Sequence, residues 1–376
     1  MSNLRKNILC AFFGIYTFLG ILYNSAFFNI NMNKDLNYRV AYIRLFLAII
    51  CLFFALGSRY SLRKLYVLFI SLVTVILSFR SQNFNELIFA FIVFPIIPAL
   101  GSKLTFKIDL CFRTIAALIV TIFLRGLSTY NILDTVSGRV RPSLGFTNPN
   151  TLSEIALVMI LEVFLLRKEL NRILSVLIVC YSFILIFISR SRSAFLLLVF
   201  FLIINFALKK GTDNVIAKKI IVSIPVICCL ISYYVVYLYS YHFNTFLVNL
   251  NSLLSNRLKI VSNYYLNYGI TFFGQKALST QLAGGQPLGS LDNGYMSLLI
   301  KFGIIVTIVF LLFLSITIKK LLDTKKYEYA ACFILFTLLG LSEFTFYVVI
   351  INVFLLLFAY VYEPELVTYE NINEVK

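Results

Sequence analysis

Five arginines stand in polar connections between apolar runs. Arg139 and Arg141 lie in RVRPSLGFTNPNTLSE (139–154), Arg190 and Arg192 in the turn SRSRS (189–193), and Arg257 in a long polar segment. A guanidinium is a planar fork that grips phosphate or carboxylate through two parallel hydrogen bonds, so this placement points to an anionic ligand. Pro142 restricts Arg141 to an extended or turn conformation, and Gly145 permits an unusual backbone angle. Asn148-Pro149-Asn150-Thr151 reads as a turn entering a helix, with Asn150 or Thr151 as N-cap and Glu154 in the first turn. A helix N-terminus beside guanidinium groups makes an anion site from amide donors, dipole and Arg forks; the alternative is a loop whose arginines rest on lipid headgroups. General bases must come from a short set of acids, Asp35, Glu86, Asp134, Glu154, Asp292 and Glu343. Asp292 and Glu154 lie nearest the arginine motifs, and Glu154 reads equally well as a helix-cap partner. Lys301, about 12 Å into an apolar run, is a candidate phosphate contact or a snorkelling or paired cation. His242 is the sole histidine, which excludes a multi-histidine metal site, and no metal or other cofactor is suggested.

These residues must be positioned by apolar elements. The chain has 376 residues, of which 60% are hydrophobic and 13% charged, against about 25% charged in soluble domains. Apolar runs cover roughly 8–28, 40–57, 63–79, 86–101, 110–127, 151–166, 173–189, 193–208, 219–240, 293–318, 328–344 and 346–362, each close to the length a bilayer core demands. The last two form one run divided at Ser342-Glu343-Phe344. The reading is an all-α polytopic membrane protein of about 12 transmembrane helices in a single domain over 1–376. Arg5 and Lys6 precede a first run without a cleavage site, so it reads as an uncleaved span. With the N-terminus inside, inner loops hold 19 of the 33 Lys and Arg and outer connections 11, so both termini are expected in the cytoplasm, with a cytoplasmic tail at about 363–376. Two extracytoplasmic segments are long, about 128–150 and 241–292. The net charge of +17 follows from these loop cations and implies no nucleic acid. All seven cysteines lie in or beside apolar runs and read as packing residues. The ionisable residues Arg44, Arg113 and Glu162, which lie within apolar runs, read as internal ion pairs, and the tyrosines of YYVVYLYSY (233–241) as an interfacial belt.

Three stretches together carry a resemblance. Arg141-Pro142-x-x-x-Gly145-Phe146-x-Asn148-Pro149-Asn150 before an apolar run, Ser191-Arg192-Ser193-Ala194 between two runs, and Asp292-Asn293-Gly294-Tyr295 with Lys301 and Gly303 after the long segment resemble the bacterial O-antigen polymerase and O-antigen ligase superfamily, over roughly residues 130–315. The ligase pattern has a histidine where this chain has Asp292, while Asn293 and Gly303 keep its spacing; that favours the polymerase branch. An Arg-x15-Gly motif of some polymerases is not reproduced.

The resemblance implies a cell-envelope enzyme of the bacterial cytoplasmic membrane, acting on its outer face in O-antigen, capsule or exopolysaccharide synthesis. It would transfer a glycan from polyprenyl diphosphate to a lipid-linked repeat unit. Arg141 and Arg192 would stabilise the departing diphosphate and Asp292 or Glu154 would serve as base. Arg139, Arg190, Arg257, Lys301, Asn148, Asn150 and Asn293 would bind substrate. Its partners would be a polyprenyl-diphosphate-linked oligosaccharide, the lipid bilayer, a flippase and a chain-length regulator. The alternatives are a ligase of finished polymer and, in a different class, a flippase or transporter of the lipid-linked unit; no matched pair of broken spans supports the latter.

Overall fold

In the computed structural model of the chain, residues 3–28, 34–56, 69–70, 72–73, 76–77, 96–125, 131–134, 139–211, 214–242, 245–277 and 289–362 are described. The expected spans over 63–79 and most of 86–101, the tail 363–376, and the side chains of Asp35, Glu86, Asp134 and Arg139 lie largely or wholly outside the described residues.

The described residues are mostly helical, at 82%, with almost no strand. The chain begins with α1 (Asn3–Tyr23), α2 (Lys34–Leu56), α3 (Ile96–Leu100) and α4 (Ser102–Leu118), the last running on as a π-turn over Ile119–Leu124. A departure from the all-α expectation follows, a hairpin of β1 (Asn131–Asp134) and β2 (Arg139–Pro142) in which Ile132 pairs with Arg141 and Asp134 with Arg139. Next come α5 (Pro149–Leu165), α6 (Arg172–Ile188), α7 (Arg192–Gly211) and α8 (Val215–Tyr241). The long 241–292 segment contains two helices of its own, α9 (Thr245–Leu253) and α10 (Arg257–Tyr268). Then α11 (Gly294–Ser297) passes through a π-turn at Leu298–Phe302 into α12 (Gly303–Asp323), and α13 (Tyr327–Leu339) follows.

Four described helical stretches, Asn3–Tyr23, Arg192–Lys210, Val215–Tyr241 and Gly294–Asp323, are long and apolar enough to cross a membrane. Large apolar side chains such as Phe187, Leu202 and Leu230 face outwards from α6, α7 and α8, a surface suited to lipid rather than water. Within the bundle, α1 packs on α2 and α4, α5 on α4 and α6, α13 on α7, and α8 on α10 and α12.

The bundle has two unlike ends. At one, loop charges pair with one another: Lys103 with Glu169 at 3.0 Å, Arg167 and Lys209 with Glu328 at 2.7 and 3.0 Å, and Lys218 with Asp323. At the other, the starts of α5, α10 and α11 gather around residues 340–343.

The final apolar run departs from two plain helices. After α13 ends, the chain reverses through residues 340–352, with a 3-10 turn at Phe344–Tyr347, and returns by a second 3-10 stretch (Val353–Phe358) to α14 (Ala359–Tyr362). Lys326 Nζ donates to Tyr360 OH at 2.9 Å, so the excursion closes where it began. The β-branched run Val348-Val349-Ile350-Ile351 is a poor helix former. Irregular backbone at membrane depth is tolerated where protein covers it, and residues 346–360 are almost entirely buried, with Phe346, Phe354 and Phe358 at 0% exposure. Asn352 Nδ2 satisfies the Phe346 carbonyl at 2.6 Å, and Tyr347 OH shares a 2.8 Å bond with Ser297.

A second non-helical contact sets the far end of the 241–292 segment. Gln275 N donates to Lys301 O, and Ile304 N and Ile305 N donate to Thr271 O and Phe272 O. This lays residues 271–275 against the helix break at Gly303. Both Gly274 (φ +78°) and Gly303 (φ +85°) face the opposite backbone so closely that a Cβ on either would overlap it. Gly274→Ala is therefore expected to destabilise the protein by about 1–3 kcal/mol, read as a lower thermal midpoint in detergent; an unchanged midpoint would show that the close approach is dispensable.

Candidate functional site

The stretch around Arg141 is fixed from two sides, by the π-turn and by the end of α1. After Arg141 in its extended strand, Gly145 adopts φ +90° and faces the Val120 carbonyl of the π-turn, where a Cβ would sit at 2.8 Å. Ala26 N donates to Gly145 O at 2.7 Å and Thr147 N to Asn24 O at 3.1 Å, so the end of α1 pins the loop.

The helix then starts earlier than expected. Asn148, not Asn150 or Thr151, is the N-cap: its side chain accepts from Asn150 N at 2.8 Å, with Pro149 in the first helical position, where a missing N–H costs nothing. Two consequences correct the sequence reading. Glu154 falls in the second turn, too far along for a cap partner. The helix start also offers an anion little, because Pro149 has no N–H and the Asn150 N–H is already taken. In exchange the Asn150 side chain is released. Its Oδ1 accepts from Arg141 Nη2 at 2.7 Å and its Nδ2 donates to Glu343 Oε1 at 2.9 Å.

Glu343 is the residue around which the rest assemble. Arg257, at the start of α10, donates through Nη1 to Glu343 Oε1 at 2.7 Å and to the Ser342 carbonyl at 2.6 Å, while its Nε lies 3.4 Å from Asp292 Oδ2. Asn293 caps α11 by accepting from Met296 N, and its Nδ2 donates to the Leu341 carbonyl; Gly294 N donates to Gly340 O. The Asp292–Gly294 motif is thus clamped along residues 340–343. Glu154 is 3% exposed, its Oε2 has no hydrogen-bond partner, and Glu343, Thr345, Arg257 and Asp292 surround it. Lys301 is half-buried with its ammonium 5.8 Å from the Phe344 ring, next to the cluster.

The result is two guanidinium groups and three carboxylates in one polar pocket of side chains at the end of an apolar bundle. Glu343 and Arg257 both lie outside the spanning helices. Burial pushes the Glu343 carboxyl up, Arg257 pulls it back and Asp292 pushes again, leaving it at about 7. Burial opposes the Arg257 charge, but Glu343 and Asp292 outweigh it and hold its pKa above the ordinary value.

Of the residues picked from sequence, Arg141, Asn150, Glu154, Arg257, Asp292 and Asn293 come together here, with Lys301 at the margin. Asn148 serves the helix cap. Arg190 and Arg192 do not join: both side chains are exposed, although Arg141 Nε reaches the Ser189 carbonyl of their turn at 3.3 Å. The side chain of Arg139 lies outside the described residues. Glu343 stands among the acids read from sequence but not among the site residues; the signal is a glutamate alone in the middle of the 34-residue apolar run 329–362. Among the described residues no group of His, Cys, Asp and Glu is arranged to hold a metal ion. Comparison with family models, curated proteins and solved structures matches nothing to this chain.

The folded Glu343 carboxyl keeps its proton to about pH 7, whereas an unfolded glutamate loses it near ~4.3. Between those values the native state binds the extra proton, so stability falls as pH rises through the window and this contribution is lost above it. The thermal midpoint of the protein is expected to decline from about pH 5 to about pH 7, by at most ~1.4 kcal/mol per unit, and Glu343→Gln is expected to flatten the slope. A slope identical in both proteins would place the titrating group elsewhere.

Proposed function

We propose that the chain is a multi-pass membrane glycosyltransferase of the O-antigen-polymerase type, about 12 helices across the bacterial cytoplasmic membrane with both termini inside and the Arg141–Glu343 cluster on the outer face. The observation that carries the reading is the meeting of two of the three resembling stretches, those at Arg141–Asn150 and Asp292–Gly294, with Arg257 of the long segment on one buried glutamate. The charge-paired loops at the opposite bundle end support the orientation, since they hold the cations assigned to the inner side.

In the reaction, a hydroxyl oxygen of a lipid-linked repeat unit attacks the anomeric carbon of the donor chain, and the bond from that carbon to the diphosphate oxygen breaks. The hydroxyl proton passes to a carboxylate, and both bonding electrons leave with polyprenyl diphosphate. Arg141 is assigned to the departing diphosphate, because a guanidinium fork matches phosphate geometry. Asn150 holds Arg141 in place. Arg257 is tied to Glu343, Asp292 and Ser342 O, so its part is to set the carboxylates. Glu343 is the preferred base: both of its hydrogen bonds fall on Oε1, which leaves Oε2 to take a proton, and a pKa near working pH suits the task. Asp292 at 18% side-chain exposure stands at the rim, and Glu154 beneath. Arg192, Arg190 and Lys301 are assigned to substrate phosphates or lipid headgroups around the cluster, and the glycan supplier is the reaction that delivers lipid-linked repeats to the outer leaflet.

Arg141→Ala is expected to lower chain extension by about 10²–10³-fold with the protein still in the membrane, and Arg141→Lys, a point charge without the fork, to restore only part of it. The readout is the size distribution of surface and lipid-linked polysaccharide. Single lipid-linked repeats on the outer face support the polymerase; full-length chains stranded on the carrier indicate a ligase, repeats held on the inner face a flippase, and normal polymer removes Arg141 from the site. In membranes given lipid-linked repeats, the rate of extension is expected to rise through about pH 7 as Glu343 loses its proton, and Glu343→Gln to abolish extension at every pH; a fully active Gln variant would transfer the base to Asp292 or Glu154.

A further inference from the structure

A second group of ionisable side chains lies in the core, away from the Arg141–Glu343 cluster. On α4, Asp109 and Arg113 form an i,i+4 ion pair at 2.7 Å, with the two side chains 2% and 0% exposed. Thr17 of α1 donates to Asp109 Oδ1 at 2.8 Å, and Arg113 Nη1 donates to the Ile350 carbonyl at 2.7 Å. Glu162 of α5, 0% exposed, faces this pair with Oε2 3.8 Å from Arg113 Nε. Neither Glu162 oxygen has a hydrogen-bond donor, yet Asp109 stands within hydrogen-bonding reach of it.

The charges do not balance. Two carboxylates and one guanidinium leave a formal excess of one negative charge in a fully enclosed site, and an uncompensated buried charge costs several kcal/mol. Among the described residues no cation other than Arg113 is bonded to either carboxylate. Tyr16 of α1 lies under Arg44 of α2, whose guanidinium sits 5.6 Å and 5.3 Å from the Tyr16 and Tyr23 rings. From α13 come Cys332 and Glu328, the latter occupied by Arg167 and Lys209. The ionisable residues of α6 and α7 (Arg172, Cys180, Tyr181, Arg192, Lys209 and Lys210) make no hydrogen bond or ion pair with Glu162, and all but Tyr181 are exposed. A metal ion at Glu162 would meet the Arg113 guanidinium head-on and find no shell of oxygens. A proton avoids both problems: it forms an O–H bond on one carboxyl and a hydrogen bond to the other, which turns the Glu162–Asp109 contact from repulsive to attractive.

We propose that Glu162, with Asp109 and Arg113, is a proton-binding site in the membrane core that holds one exchangeable proton on the Glu162 carboxyl. Glu162 is three residues before the last residue of α5, about 5 Å along the axis, so exchange runs to the bundle end of the paired loop charges. The site stands whether or not the outer cluster makes polysaccharide.

The test uses the purified full chain in lipid nanodiscs, by infrared difference spectroscopy and thermal melting. Glu162→Gln, a neutral isostere of the protonated acid, is expected to fold, to melt at or above the native midpoint, and to lose one carbonyl band of a neutral carboxylic acid that shifts in heavy water in the native protein. Raising the pH is expected to destabilise the native protein more than the Gln variant. The proposal is overturned if the band persists in Glu162→Gln, if that variant is strongly destabilised or fails to fold (Glu162 would then be the ionised partner of Arg113), or if sodium in place of choline raises the midpoint of the native protein and not of the variant.

Discussion

The carboxylate of Glu343 is shared: Asn150 of α5 and Arg257 of α10 both donate to the same oxygen, at 2.9 and 2.7 Å. Through it the first half of the chain, the long polar segment and the returning apolar run are held in one arrangement. The backbone around it repeats the pattern, since the carbonyls of Gly340, Leu341 and Ser342 receive Gly294 N, Asn293 Nδ2 and Arg257 Nη1. A buried ion pair of this kind adds little net stability, because desolvation offsets most of the Coulomb gain, but removing one partner strands the other and is costly. Its worth lies in geometry. It forces the guanidinium of Arg257 and the amide of Asn150 into fixed places, and the Asn150 amide in turn orients Arg141.

Much of this was legible in sequence because it rests on local rules. Pro142 predicts the extended Arg141, Gly145 its positive φ, and the apolar runs the positions of α1, α5, α6, α7 and α8 within about five residues, while the run 293–318 covers α11 and most of α12 but not the break between them. The start of α5 was misplaced by two residues because three polar side chains compete for the cap, and only the fold decides that Asn150 has better partners in Arg141 and Glu343. Helices α9 and α10 were missed for a different reason. RLKIVSNYYLNY (257–268) is rich in Asn, Tyr and β-branched residues, with little intrinsic helix preference, and packing of Val261 and Tyr264 against α8 and α11 supplies what propensity does not. The 3-10 return over 353–358 was invisible because an apolar run looks the same whether it spans straight or folds back.

That return explains how a polar cluster can form at the turn of a long apolar run. A straight helix through 328–362 would turn Glu343 towards whatever its face met, with its backbone satisfied internally. Breaking the helix frees carbonyls and amides that must find donors and acceptors nearby, and the side chains that answer, Arg257, Asn293, Asn352 and Arg113, are polar by necessity. Arg113 meets Ile350 O in the core just as Arg257 meets Ser342 O at the end. One irregular segment therefore joins the Arg141–Glu343 cluster and the Asp109–Arg113–Glu162 group.

The distribution of acids follows from the same constraint. In a chain of net charge +17 with only 16 Asp and Glu, cations in the loops are explained by topology, and their positions alone say little about chemistry. The acids are the scarce component, and five of them, Asp109, Glu154, Glu162, Asp292 and Glu343, fall in the two clusters, each with more carboxylates than guanidinium groups. A search guided by arginines finds what an anionic ligand would want. The carboxylates decide which of those arginines are held in place: Arg257 by Asp292 and Glu343, Arg113 by Asp109, and Arg141 through Asn150 by Glu343. Arg192 has none of these acids bonded to it, and both Arg190 and Arg192 are exposed at the turn.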